Sequence, residues 1–227
     1  MLLGGFLSET PPTPPEAHAL FAEIKSIERY VDFLAGAGVD RGLIGPREVP
    51  RLWSRHVLNC AVAAAAFPRA HTVCDVGSGA GLPGIVLALA RPDLRVCLVE
   101  PLLRRTTFLR EVVEALGLDD VEVVRARAEE LHGVRHFDVV TSRAVAPLHR
   151  LLGLCWPLVT PGGTMLALKG AGAQDEVELC RPVLQRMDAG AVVEQWGAKV
   201  LSPPTTLVRI ESLTGVAHRN MGGLTSL

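Results

Sequence analysis

From Glu16 onward, apolar residues recur at steps of three and four: Leu20, Phe21, Ile24, Ile27, Val31 and Leu34 form one stripe, closed by Gly36 and Gly38. That period marks an amphipathic helix with one buried face. A second helical stretch over residues 46–66 carries Leu52, Trp53, Val57 and Val62, and sets Arg51, Arg55 and Asn59 four apart on a polar side with His56 beside them. After a break at residues 67–70 the period changes. Short β-branched runs alternate with helical stretches, which predicts an α/β fold, Rossmann-like, with a seven-stranded, mostly parallel sheet covered by helices on both faces. Strands are expected near 72–76, 95–100, 121–126, 137–142, 163–169, 191–200 and 205–210, and helices near 83–91, 102–117, 147–159 and 173–187. Pro203 and Pro204 leave a short link between the last two strands, which suits a terminal hairpin. Residues 1–15, with the run TPPTPP, are expected to be a flexible tail, 16–70 a helical extension, 71–212 the sheet domain and 213–227 a loose end.

Length and composition narrow the class. A chain of 227 residues suits one substantial domain with an extension, and 48% hydrophobic with 21% charged residues describes a globular body. No apolar run reaches the roughly 18 residues of a membrane span, and no signal-peptide succession opens the chain, so a cytoplasmic protein is expected. The five cysteines form neither a CxxC pair nor a cluster with histidines, so no metal site and no disulfide is expected; Cys74 and Cys97, inside strand-like runs, read as small buried hydrophobes. Net charge is -1, yet residues 41–69 hold five arginines (41, 47, 51, 55 and 69) against one acid, Glu48. Such a basic segment fits either a solvated helix face or a surface for a polyanion.

The chemistry concentrates in TVCDVGSGAGLPGIVLALA, residues 72–90: a strand ending at Asp75, a loop with Gly77, Gly79 and Gly81, and a helix opened by Pro83. Alternating glycines clear side chains where backbone meets a ligand. Gly79, Gly81 and Gly84 also spell GxGxxG, so a dinucleotide-dependent oxidoreductase has to be weighed. Asp75 shifts the balance, since a carboxylate ahead of the loop repels a pyrophosphate and favours a cofactor carrying an amino group and a sulfonium, which describes S-adenosylmethionine. Glu100, about twenty residues after the glycines, suits the hydroxyls of a ribose. Ala128 and Glu129 follow the third strand, where this architecture usually meets an adenine edge; a capping role suits Glu129 equally.

The segment after the fourth strand, FDVVTSRAVAP (137–147), bears on the methyl acceptor. It has no NPPY-like segment, which argues against amino-group methylation, and no cysteine follows the fourth or fifth strand to add to a pyrimidine ring. Guanine N7 presents a lone pair that needs no general base, only alignment. Arg143 and Lys169 stand at the strand ends where α/β ligands collect, though each also suits a surface ion pair. Arg104 and Arg105 sit at a helix start, an unfavourable place for cations that an anionic partner would relieve.

Four segments in order, RHVLNC (55–60), DVGSGAGLPGIVLA (75–88), SRAVAPL (142–148) and LALKG (166–170), resemble the small-subunit ribosomal RNA guanine-N7 methyltransferases called RsmG or GidB, over roughly residues 16–211. The resemblance implies a class I S-adenosylmethionine-dependent methyltransferase fold with a helical N-terminal extension. It implies cofactor contact by Gly77, Leu82, Ala128, Glu129 and Arg143, with Glu100 at the ribose; the place of Arg143 at a strand end makes it also the candidate for aligning the acceptor. Arg55, His56 and Lys169 are implied to approach RNA, and Arg51, Arg104 and Arg105 are grouped with them on charge. The implied partner is 16S ribosomal RNA in the 30S subunit or a precursor, met by a monomer; methylation of a small molecule or protein is the alternative. The chain departs from the family in carrying Asn59 and Cys60 where aspartate and serine are common, which puts an ionised group at position 59 in doubt.

Overall fold

A computed structural model describes residues 10–68 and 72–214. The expectations for residues 1–9 and 215–227 therefore lie outside the described residues. The N-terminal extension contains α1 (Ala17–Leu20), α2 (Ile24–Phe33) and α3 (Leu58–Ala63). The first predicted helix is split, because the chain turns extended at Phe21, whose ring is buried. Residues 10–15 are held at two points: the Trp53 indole N–H donates to the Pro11 carbonyl (3.1 Å), and Thr13 Oγ1 to Glu28 (2.6 Å).

The second predicted helix is one continuous helical run with changing pitch: a 3₁₀ segment Pro46–Arg51, a π turn Leu52–Val57, α3, and a 3₁₀ turn Ala64–Ala66. Pro50 has no N–H to give, so a regular α ladder cannot pass through it. The wider π turn then breaks the four-residue stripe expected for Arg51, Arg55 and Asn59. Arg51 and Arg55 stay in solvent, but Asn59 turns inward, donating Nδ2–H to Thr205 Oγ1 (2.8 Å) and accepting that hydroxyl at its carbonyl (2.9 Å).

The seven strands are β1 (Thr72–Val76), β2 (Arg95–Val99), β3 (Val121–Val124), β4 (Phe137–Arg143), β5 (Val159–Lys169), β6 (Ala189–Trp196) and β7 (Thr205–Ser212), in the order β3-β2-β1-β4-β5-β7-β6. The first five are parallel; β7 runs antiparallel to β5 and β6, giving the terminal hairpin. Helices α4 (Gly84–Ala90), α5 (Leu103–Leu116), α6 (Leu148–Cys155) and α7 (Ala173–Arg186) cover it. Strand residues alternate between two apolar clusters, as period 2 requires. Val73, Leu98, Val139 and Leu166 join α4, α5 and the extension; Cys74, Val99, Val140 and Met165 join α6 and α7. Cys74 and Cys97 are buried in the sheet, as expected, and Cys60, Cys155 and Cys180 are buried too.

Strand order reverses between β1 and β4, the place where α/β sheets open a crevice at their C-terminal ends. Over that crevice the extension and the sheet share one core, and Tyr30, fully buried on α2, donates its hydroxyl to the Ala80 carbonyl in the glycine loop at 2.8 Å. Tyr30→Phe leaves that carbonyl without its partner, so urea unfolding should show a loss of about 1–3 kcal/mol; an unchanged midpoint would mean that water replaces the hydroxyl.

Candidate active site

A cavity of about 620 Å³ opens at the C-terminal ends of β1, β2 and β4. Its walls are the glycine loop, Glu100, Arg105, Arg127, Arg143 and Val145, with Leu43, Ile44 and His56 contributed by the extension. A smaller recess of about 180 Å³ shares Gly77, Pro101, Arg127 and Val145 with it and continues along Ala128 and Glu129. Gly77, Gly79, Leu82, Glu100, Ala128, Glu129 and Arg143, singled out from the sequence, therefore line two adjoining hollows that share walls.

The loop is bound from inside. Gly77 and Ser78 donate their amides to the Val99 carbonyl (2.8 and 3.2 Å), Gly81 and Leu82 to the Ser78 carbonyl (2.7 and 3.1 Å), Gly79 to Glu100 Oε2 (3.1 Å) and Gly84 to Asp75 Oδ2 (3.0 Å). Gly77 (φ +74°) has no room for a side chain, since a Cβ would lie 2.5 Å from Val145 Cγ2. Gly81 (φ +98°) is equally confined, by Ile85 and the Tyr30 hydroxyl, and unlike Gly77 it stands behind the cavity wall.

Asp75 differs from its expected part. The sequence suggested a charge facing the ligand, whereas its side chain is fully buried beneath the loop and does not line the cavity. Gly84 makes this possible, because a Cβ there would stand 2.8 Å from Asp75 Oδ2. Burial pushes the Asp75 carboxyl up to about 7, against the opposing pull of the Gly84 amide and Arg143, and Oδ1 has no partner among the described residues. Glu100 is also buried, but it reaches the cavity wall while accepting from Gly79, from the Leu102 amide (3.1 Å) and from Arg105 (3.3 Å).

Arg143, ending β4, donates Nη2–H to His56 Nδ1 (2.9 Å) and Nη1–H to the Arg55 carbonyl (3.3 Å), and His56 Nε2 lies 3.0 Å from Glu48 Oε2. His56 is thus wedged between two side chains and lines the cavity, where an RNA surface had been expected. Lys169 is likewise engaged: its side chain is 10% exposed, with Nζ 2.7 Å from Glu176 and 3.2 Å from the Ala146 carbonyl. Since Glu176 also accepts the Leu148 amide (2.6 Å), Lys169 braces the 143–148 turn. Arg105 turns into the cavity to meet Glu100, while Arg51, Arg55 and Arg104 remain exposed. Sequence reasoning missed Tyr30, Arg127 and Val145, and took Glu48 only as the lone acid of a basic segment; that isolation was the available signal.

The strand order, with β7 reversed, and the glycine-loop cavity at the switch point are the architecture of class I methyltransferases. Solved structures of similar fold include a methyltransferase from Pyrococcus furiosus (TM-score 0.53, 14% identity, covering 69% of this chain and 83% of that one). Another is a precorrin-6y C5,15-methyltransferase from Geobacter metallireducens (TM-score 0.51, 14% identity, covering 75% and 90%). The chain belongs to the family described as GidB, rRNA small subunit methyltransferase G, which it matches over residues 23–192. Proteins named ribosomal RNA small subunit methyltransferase G are 60% identical in a Nocardioides species (205 residues, 89% of this chain and 82% of the relative) and 55% identical in Streptomyces coelicolor (207 residues, 90% and 87%).

Because the Asp75 carboxyl is held above its unfolded value, its protonated form stabilises the fold at low pH. That contribution is lost as pH rises toward about 7. Asp75→Asn removes the dependence, so the variant's stability relative to wild type should be higher at pH 8 than at pH 5 in urea melts. The same offset at both values would show that the buried carboxyl ionises as it does in the unfolded chain.

Proposed function

We propose that the chain transfers a methyl group from S-adenosylmethionine to N7 of a guanosine in 16S ribosomal RNA. The observation that carries the cofactor assignment is the inward pairing of five loop amides, those of Gly77, Ser78, Gly79, Gly81 and Leu82, and of the Gly84 amide that opens α4. A diphosphate-binding loop offers such N–H groups to its ligand. Here they are taken, which disfavours NAD or FAD and suits a donor without phosphate.

The remaining walls fit that donor. A carboxylate offers about four acceptor positions, and Glu100 receives three protein donors, so it retains capacity for a ribose hydroxyl. The recess along Ala128 and Glu129 takes the adenine, and the loop from Gly77 to Leu82 takes the amino-acid part. Together the two hollows lie within the ordinary range of roughly 300–1,000 Å³ for small-ligand sites. When bound, the donor supplies a methyl group on a positively charged sulfur.

Guanine N7 fits the acceptor side because it needs alignment and no general base, and His56 and Glu100 on the main cavity wall are both engaged. His56 is held at both ring nitrogens, and Glu100 by loop and helix donors. Arg143 is fixed by two contacts and keeps further N–H donors for the base. Alignment of this kind supplies roughly 7–11 kcal/mol. The acceptor is RNA of the small subunit or its precursor, met in the cytoplasm by a single copy of the chain. No helix among the described residues is long and apolar enough to cross a membrane.

With labelled S-adenosylmethionine and 30S subunits from a strain lacking the enzyme, label should enter one guanosine at N7. Label on another base, or on protein alone, would refute the acceptor. Arg143→Ala should lower kcat on the order of 100-fold without unfolding the chain; wild-type turnover would remove Arg143 from the site. Arg55→Ala removes an exposed cation and should weaken RNA association while flattening its salt dependence, with cofactor affinity unchanged. A salt slope equal to wild type would return that residue to an ordinary solvated face.

A further inference from the structure

Arg143 does not hold its position alone, and the residue that fixes it lies outside the cavity. We infer that Glu48 is a positioning residue for methyl transfer, locking His56 in the one tautomer that lets Arg143 keep its aim. The inference rests on the reading of the cavity given above.

A guanidinium has N–H donors and no acceptor. The 2.9 Å contact from Arg143 Nη2 to His56 Nδ1 therefore requires a lone pair on Nδ1. The ring proton then sits on Nε2, 3.0 Å from Glu48 Oε2, which accepts it. In the other neutral tautomer, two N–H groups face each other at Arg143 and a lone pair faces a carboxylate. A doubly protonated ring satisfies Glu48 but turns a proton toward Arg143. Of three ring states, one serves both ends.

The surroundings are built to hold that state. Glu48 sits on the 3₁₀ segment Pro46–Arg51, where Pro46 and Pro50 restrict the backbone and Val49 is fully buried. Its ion pairs to Arg51 (3.5 Å) and Arg55 (3.3 Å) involve side chains more than half exposed, a kind of pair that contributes little. The short contact is the one to His56. The charged groups facing the ring are Arg143 from β4, Glu48 from the 3₁₀ segment and Arg55 from the ring's own turn. Burial and Arg143 hold the imidazole below its ordinary pKa, while Glu48 opposes them. Without Glu48 the ring is free to exchange tautomers, and Arg143 is left with the 3.3 Å contact to the Arg55 carbonyl.

The test compares Glu48→Ala, Glu48→Gln and His56→Asn with wild type, in kcat, cofactor affinity and pH profile on 30S subunits, and in histidine nitrogen NMR on the free protein. Glu48→Ala should lower kcat about tenfold, leave cofactor affinity within about twofold, and move the acid limb of the profile to lower pH, because a group that favours the charged imidazole is gone. Glu48→Gln still offers a carbonyl oxygen to Nε2–H, so it should recover most of kcat while keeping the displaced limb. His56→Asn, whose side-chain oxygen can accept from Arg143 in place of Nδ1, should abolish the acid limb. The wild-type spectrum should show a protonated Nε2 and a bare Nδ1. Wild-type kcat with an unshifted limb in Glu48→Ala, or equal losses in the Ala and Gln variants, would overturn the inference. The spectrum needs no RNA, so a wild type that methylates no small-subunit RNA would refute the acceptor assignment, whereas a protonated Nδ1 would refute the relay itself.

Discussion

Two buried carboxylates, Asp75 and Glu100, hold the glycine loop by its own amides, and the character of the cavity follows from that. A loop whose N–H groups point inward presents the ligand with close backbone and little hydrogen-bonding donation, the opposite of a phosphate cradle. The donors of Gly77, Ser78, Gly79, Gly81, Leu82 and Gly84 are engaged within the protein, and negative charge does not dominate the wall. Arginines 105, 127 and 143 in fact outnumber the single glutamate there. The glycines serve this arrangement unequally: Gly84 makes room for Asp75, and Gly77 for Val145, which closes over it.

The extension forms part of the site and part of the core. Leu43, Ile44 and His56 are walls of the cavity, Tyr30 holds the loop from behind, and the apolar residues of α2 and α3 merge with those under α4 and α5. The same short stretch before α3 thus carries exposed cations on one side and the support of Arg143 on the other. Solvent-facing cations and a buried-side contact to the end of β4 sit within a few residues of each other.

The sheet was legible in the sequence because burial on both faces leaves unbroken β-branched runs, and because Gly, Pro and acidic residues punctuate them at fixed places. Every strand and the terminal hairpin fall where those signals put them, within a few residues at the ends. The glycine loop, Glu100 and Arg143 were legible for the same reason, each lying at a strand's C-terminal end. Direction of side chains was not. Asp75 points under the loop, Lys169 toward Glu176, and Asn59 into β7, each decided by a partner distant along the chain. The split at Phe21 and the π turn over Leu52–Val57 escaped notice because periodicity assumes constant pitch. Pro50 was the local warning.

The Asn59–Thr205 pair has a consequence for how the protein is made. Its two residues are separated by 146 positions, so a nascent chain emerging from the ribosome carries its basic segment into solution long before the strand that anchors it exists. Contacts of such separation form late, after most of the loop-closure entropy has been met. During synthesis the helix therefore lacks its Thr205 anchor until the last hairpin folds onto the sheet. A chain arrested before β7 would carry Asn59 without the hydroxyl that turns it inward.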